Sequence, residues 1–345
     1  MHFDEYHNHK WAKNLSHARD LLREGDLETF YRGEDLPEGD VYPGMRVMAA
    51  YWVSVEHEMR MRLAMLLKGA KKPEWRQDVE IVAQKDAFLE RFLDDMRMLI
   101  EREGIVTADA FEDLLAAGME LPENWREHMR GLQDASEAAL EAGAFPEDLV
   151  EAWFASCLRS VANYNHYLIW GGVTAAALVK RRGNKALKDA IDATAREFMW
   201  EISREFYVNV MPSVGFEDIG DVMELGMRGM FSDQYYVTGE EREEGETVIK
   251  QSLLKNCELA GIYRRAAEWN DLPPLALGYG ICRYCEAHGE ATMMITMPPM
   301  YAPEYKLVQS IGLHDKTCAF QLKLVPADDM DRLMMVQEKV FGGMG

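Results

Sequence analysis

Between residues 43 and 69 the apolar side chains fall at Met48, Trp52, Val55, Met59, Leu63 and Leu66. Steps of three and four keep them on one side of an α-helix, with a proline near its start and a glycine at its end. A second stripe of the same period runs through Val82, Phe88, Phe92, Met96 and Leu99 and stops at Gly104. Shorter helices are predicted over 107–117 and 125–141. Pro146, followed by Glu147 and Asp148, makes a good first turn: the missing N–H of proline costs nothing there, and carboxylates suit the positive end of a helix. The apolar run 171–179 stops at Lys180, Arg181 and Arg182. A bilayer span needs about 20 apolar residues, so this run reads as a buried helix segment. A further helix starts near Asn184 and presents Leu187, Ile191, Phe198, Ile202 and Phe206 before Pro212 ends it.

The pattern changes after Gly239. Residues 240–246, all charged except Gly245, read as a polar turn or short linker. A strand is predicted over 247–256 and a helix over 257–269. Another helix follows Pro273 and Pro274 and runs to about His288. Residues 319–325 alternate Phe320, Leu322 and Leu324 against Gln321 and Lys323, as a half-buried strand does, and 304–311 is the predicted hairpin partner, joined through 312–317. The expected fold class is α+β. A predominantly helical N-terminal region, 1–145, is followed by 146–345, a helical segment leading into a small cysteine-bearing α+β unit with a C-terminal β-hairpin.

Acidic residues outnumber basic ones by 59 to 38, for a formal charge of −21. Such a surface repels phosphate backbones and anionic lipid, and no basic stripe interleaved with aromatics offsets it. Nucleic acid and membrane are therefore not expected partners. The first residues include His2, Asp4, Glu5, His7 and His9, unlike a secretory signal, so a cytoplasmic location is expected. The expected partner is a small-molecule substrate, with the helical region available to cover a site or to build a homo-oligomer. His2, His7 and His9 have ligand-like spacing but read as a solvated terminus.

Five cysteines cannot all pair within one chain. Cys157 stands alone, whereas Cys257, Cys282, Cys285 and Cys318 fall in the last quarter. Clustering of this kind in a reducing compartment points to thiol chemistry or metal binding more than to crosslinking. Cys282 and Cys285 sit one turn apart on a predicted helix. Zinc sites usually show a second close pair, and none exists here. Four ligands could still assemble from Cys257, Cys282, Cys285 and Cys318, or with His288 or His314 replacing one. No cofactor is required by the pattern, and a transition metal such as zinc or iron is the alternative reading. The plain alternative is that these thiols are small apolar side chains in a core.

Other candidate clusters read as packing. The run 163–170 (NYNHYLIW) could line a pocket, or could pack a helix and satisfy its polar tips internally. Glu56, His57 and Glu58 read as a solvated face beside the stripe marked by Val55 and Met59. No Gly-rich phosphate loop, H-E-x-x-H or G-x-S-x-G is present.

Three segments carry a family resemblance: Asn256-Cys257-Glu258-Leu259-Ala260, Ile281-Cys282-Arg283-Tyr284-Cys285-Glu286, and Gly312 through Cys318-Ala319-Phe320. In order and setting they resemble the L-2-amino-thiazoline-4-carboxylic acid hydrolase family over roughly 185–325. Two departures stand out. Cys285 occupies a position where that family places an aspartate, and Glu258 one where proline is common. The closing Gly…Cys-x-Phe also resembles the 4-vinyl-reductase-type small-molecule-binding domain. That domain's zinc ligands would fall near Leu307 and Ser310, which cannot play the part.

The hydrolase resemblance implies addition of water at the carbon between nitrogen and sulfur of a cyclic isothiourea, through a cysteine nucleophile. Cys282 is the first choice, with Cys257 and Cys318 next, and His288, His314 and Asp315 are candidates for proton transfer. Cys257, opening a helix, would have its thiol pKa lowered by unpaired N–H groups. A non-catalytic small-molecule-binding module is the third reading.

Overall fold

The structure is a computed structural model that describes residues 10–37, 40–70, 79–116, 124–204, 236–244, 247–254, 257–296, 301–313 and 317–327. Its class is α+β. Helices α1 (Lys10–Glu24) and α2 (Leu27–Arg32) precede a short hairpin of β1 (Glu34–Asp35) and β2 (Val41–Tyr42). Then come α3 (Gly44–Gly69), α4 (Val79–Arg102), α5 (Ala108–Ala116), α6 (Trp125–Ala142), α7 (Glu147–Arg182), α8 (Asn184–Asp192) and α9 (Ala195–Arg204). The C-terminal elements are β3 (Tyr236–Glu244), β4 (Thr247–Leu254), α10 (Glu258–Trp269), α11 (Gly278–Thr296), β5 (Tyr301–Gln309), a 3₁₀ turn (Ile311–Leu313) and β6 (Cys318–Pro326).

Two compact units separate among the described residues: 10–59 with 86–167, and 60–85 with 168–204 and 236–327. Their limits fall inside α3, α4 and α7, and position 145/146 lies within the second stretch of the first unit.

The first unit packs helices around large side chains. Trp153, Phe30, Tyr31, Phe111, Phe154, Met48 and Met96 are fully buried. The Trp153 indole N–H donates to Ser136 Oγ at 2.9 Å, and that hydroxyl donates to the Leu132 carbonyl at 2.7 Å, so these two buried side chains are satisfied. Tyr42 closes β2 onto α2 by donating to the Phe30 carbonyl at 2.9 Å. Cys157 is fully buried 3.6 Å from Met45 Sδ, and burial pushes its thiol up to about 12. It is a core residue.

Glu56 corrects the expectation of a solvated face. It is 1 % exposed and accepts a hydrogen bond from Asn163 Nδ2 at 2.9 Å. Val55, assigned to the stripe, is only half-buried. Position 56 lies four residues after Trp52 and three before Met59, in phase with the apolar stripe, and α7 supplies an amide to meet it. The run 163–170 packs in like manner. Tyr164 stands edge-on to Trp52 at 5.6 Å, and Asn165 Nδ2 donates to the Val161 carbonyl at 2.9 Å.

In the second unit four strands form an antiparallel sheet in the order β3-β4-β6-β5. The β5–β6 pair is the predicted C-terminal hairpin, with Glu304 opposite Lys323 and Tyr305 opposite Leu322. Residues 240–244, read as linker, belong instead to β3, which pairs with β4 through Glu241↔Lys250 and Glu244↔Thr247. Charged side chains on an edge strand discourage pairing with another chain, which is why this strand looks like a loop in sequence. The helix expected from 184 onward is two helices. Thr194 ends the first by folding its hydroxyl back onto the Ala190 carbonyl at 3.1 Å, while its carbonyl accepts from Phe198 N in the second. Phe206 and Pro212 lie outside the described residues.

Helix α11 is the axis of this unit. Gly280 gives room to Leu187 and Ile191 of α8, Tyr284 tilts against Phe198 of α9 at 4.6 Å, and Gly289 receives the Tyr305 ring of β5. No helix among the described residues is long and apolar enough to cross a membrane.

Candidate functional site

The four late cysteines come from three different elements of the second unit. Strand β4 ends at Leu254, opposite Cys318, the first residue of β6. Three residues on, Cys257 is the N-cap of α10, its sulfur accepting from Ala260 N at 3.3 Å. Cys282 and Cys285 lie one turn apart on α11.

The 3₁₀ turn links two of these sulfurs. Ile311 N donates to Cys318 Sγ at 3.3 Å, and a methyl group placed on the next residue, Gly312, would stand 2.8 Å from Cys282 Sγ. Cys282 Sγ also shares a hydrogen with Ser310 Oγ at 2.6 Å. Arg264 holds the turn from α10 by donating to the Ile311 carbonyl at 2.5 Å. Cys285, Cys318 and Cys282 are near enough to Cys257 for their charges to act on it. The thiols therefore converge on one region.

Burial dominates the titration of Cys257 and Cys282. At Cys257 burial acts first and the neighbouring Cys285 and Cys318 next, and together they hold the thiol well above its ordinary value. The Ala260 N–H pulls the other way, as expected at a helix N-terminus, and loses. Cys282, 8 % exposed, is pushed by burial from its ordinary 9.0 to about 12. A thiol nucleophile acts as thiolate, so Cys282 at neutral pH is a sheltered neutral group.

This has a kinetic signature. Cys282 should react with iodoacetamide about a thousandfold more slowly than an ordinary thiol at pH 7, with a rate that keeps rising tenfold per pH unit up to about pH 12. Peptide mapping after timed alkylation across pH checks it; a rate levelling off near pH 9 contradicts it.

Cys285 differs. It is half-buried, and Arg62 of α3 donates from Nη2 to its sulfur at 3.3 Å. Arg62 is itself 4 % exposed and packs 5.5 Å from the centroid of Phe198. Its charge also acts on Tyr263 and Tyr284, whose hydroxyls burial nevertheless pushes up to about 12. Tyr284 shares a hydrogen with Thr194 Oγ1 at 2.8 Å, and Tyr263 points its hydroxyl at Gly171 of α7, where an added methyl group would stand only 3.1 Å away.

His288 is half-buried on α11, three residues beyond Cys285 and so on a neighbouring position of the same face. Glu258, a departure from the family pattern, is a carboxylate 5 % exposed in the first turn of α10. His314 and Asp315 lie outside the described residues, as do His2, His7 and His9.

Among the described residues no three His, Cys, Asp or Glu side chains group so as to hold a metal ion. Two sulfurs already accept backbone N–H groups, one meets a guanidinium, and one meets a hydroxyl.

Sequence reasoning missed Arg62, Tyr263, Tyr284 and the role of Ser310. For Arg62 a signal was present. It falls three residues after Met59 and four before Leu66, a cation in phase with an apolar stripe. Comparison of the chain with protein-family models, curated proteins and solved structures finds no match in any of the three.

Proposed function

We propose that the chain is a cytoplasmic hydrolase of the thiazoline-carboxylate type, opening a C–S or C–N bond of a small sulfur- or nitrogen-bearing acid at a cysteine site. One observation carries the reading: thiols from three separate elements come near one another, and a buried arginine donates to one of them, Cys285. That all five cysteines are free thiols agrees with a reducing compartment.

Arg62 donates to the Cys285 sulfur, and Cys285 is half-buried where Cys282 is buried. The nucleophile is therefore assigned to Cys285, ahead of Cys282, which came first by resemblance. Its sulfur adds to the carbon between nitrogen and sulfur, the ring C–S bond breaks, and the departing sulfur takes a proton. Water then adds to the same carbon and Cys285 leaves, giving a ureido acid with a free thiol. His288 is the candidate for moving the proton.

The test is turnover of 2-amino-thiazoline-4-carboxylate and related cyclic isothioureas by the purified chain, followed by release of thiol. A second reading is a non-catalytic small-molecule-binding module, favoured by the neutral state of Cys257 and Cys282. Saturable binding of these acids with no product from any of them replaces the first reading by the second.

A further inference from the structure

We draw no further inference here: the strongest candidate, the exposed apolar surface that Val308 of β5 and Leu313 of the 3₁₀ turn present in the second unit, carries none because nothing in the structure shows what covers it.

Discussion

Exchanging Cys285 for serine should lower turnover by about a thousandfold or more, because a hydroxyl at neutral pH is far from the anion a thiol can supply. The fold should barely respond. Cys285 is half-buried, serine is nearly the same size, and its oxygen can still accept from Arg62 Nη2, so stability should stay within about 1 kcal/mol of the parent. Cys282→Ser makes the contrast. That sulfur is sheltered, neutral, and seated between Ser310 and Gly312, and replacing it should change position more than chemistry. Its turnover should fall by no more than about tenfold, the scale of an effect on positioning. Steady-state rates of the two variants, beside their thermal unfolding curves, decide the matter. Full activity in Cys285→Ser with loss in Cys282→Ser reverses the assignment made from geometry.

How far the chain could be read without coordinates depended on what kind of signal each residue carried. Long stripes at helical period mark α3 and α4, and strict alternation marks β6, because burial of one face imposes those periods directly. Strand β3 escaped since it pairs with a single neighbouring strand and its residues 240–244 are all charged. The break between α8 and α9 escaped because one threonine hydroxyl makes it, and threonine occurs throughout helices.

At the site, the cysteines were legible as a set, being rare and clustered. Which of them meets a buried cation was not, because Arg62 lies about 220 residues away in sequence. Glu56 and Arg62 teach the same lesson. Each was visible as a charged residue in phase with an apolar stripe, and desolvation makes such a position costly unless a partner waits across the interface. Asn163 is that partner for Glu56, and Cys285 accepts one N–H of Arg62.

Gly278→Ala should be the most damaging small substitution in the second unit. A methyl group there would lie 1.8 Å from the Gly312 carbonyl oxygen and 2.7 Å from its carbonyl carbon. Both atoms are backbone, so no side chain can swing away, and either α11 or the 3₁₀ turn must shift. Overpacking commonly costs about 1–3 kcal/mol, and a clash of this depth against backbone belongs at or beyond the upper end, about 3 kcal/mol. That is a large fraction of the roughly 5–15 kcal/mol by which proteins are stable. Gly131→Ala is the control. It sits on the exposed side of α6 with open space around it, so the methyl group should add helix propensity and raise stability by up to about 1 kcal/mol.

The two outcomes also bear on chemistry, because the displaced turn is the one that presses Gly312 on Cys282 and aims Ile311 N at Cys318. Moving it opens the shelter around Cys282, so alkylation of that thiol in Gly278→Ala should speed up at neutral pH under conditions where the protein is still folded. Denaturant melts give the stability change, and peptide mapping gives the rate. A native-like melt, or an unfolding shift with Cys282 as slow as before, would show that α11 and the turn are not coupled through this contact, and that the shelter of Cys282 has another source.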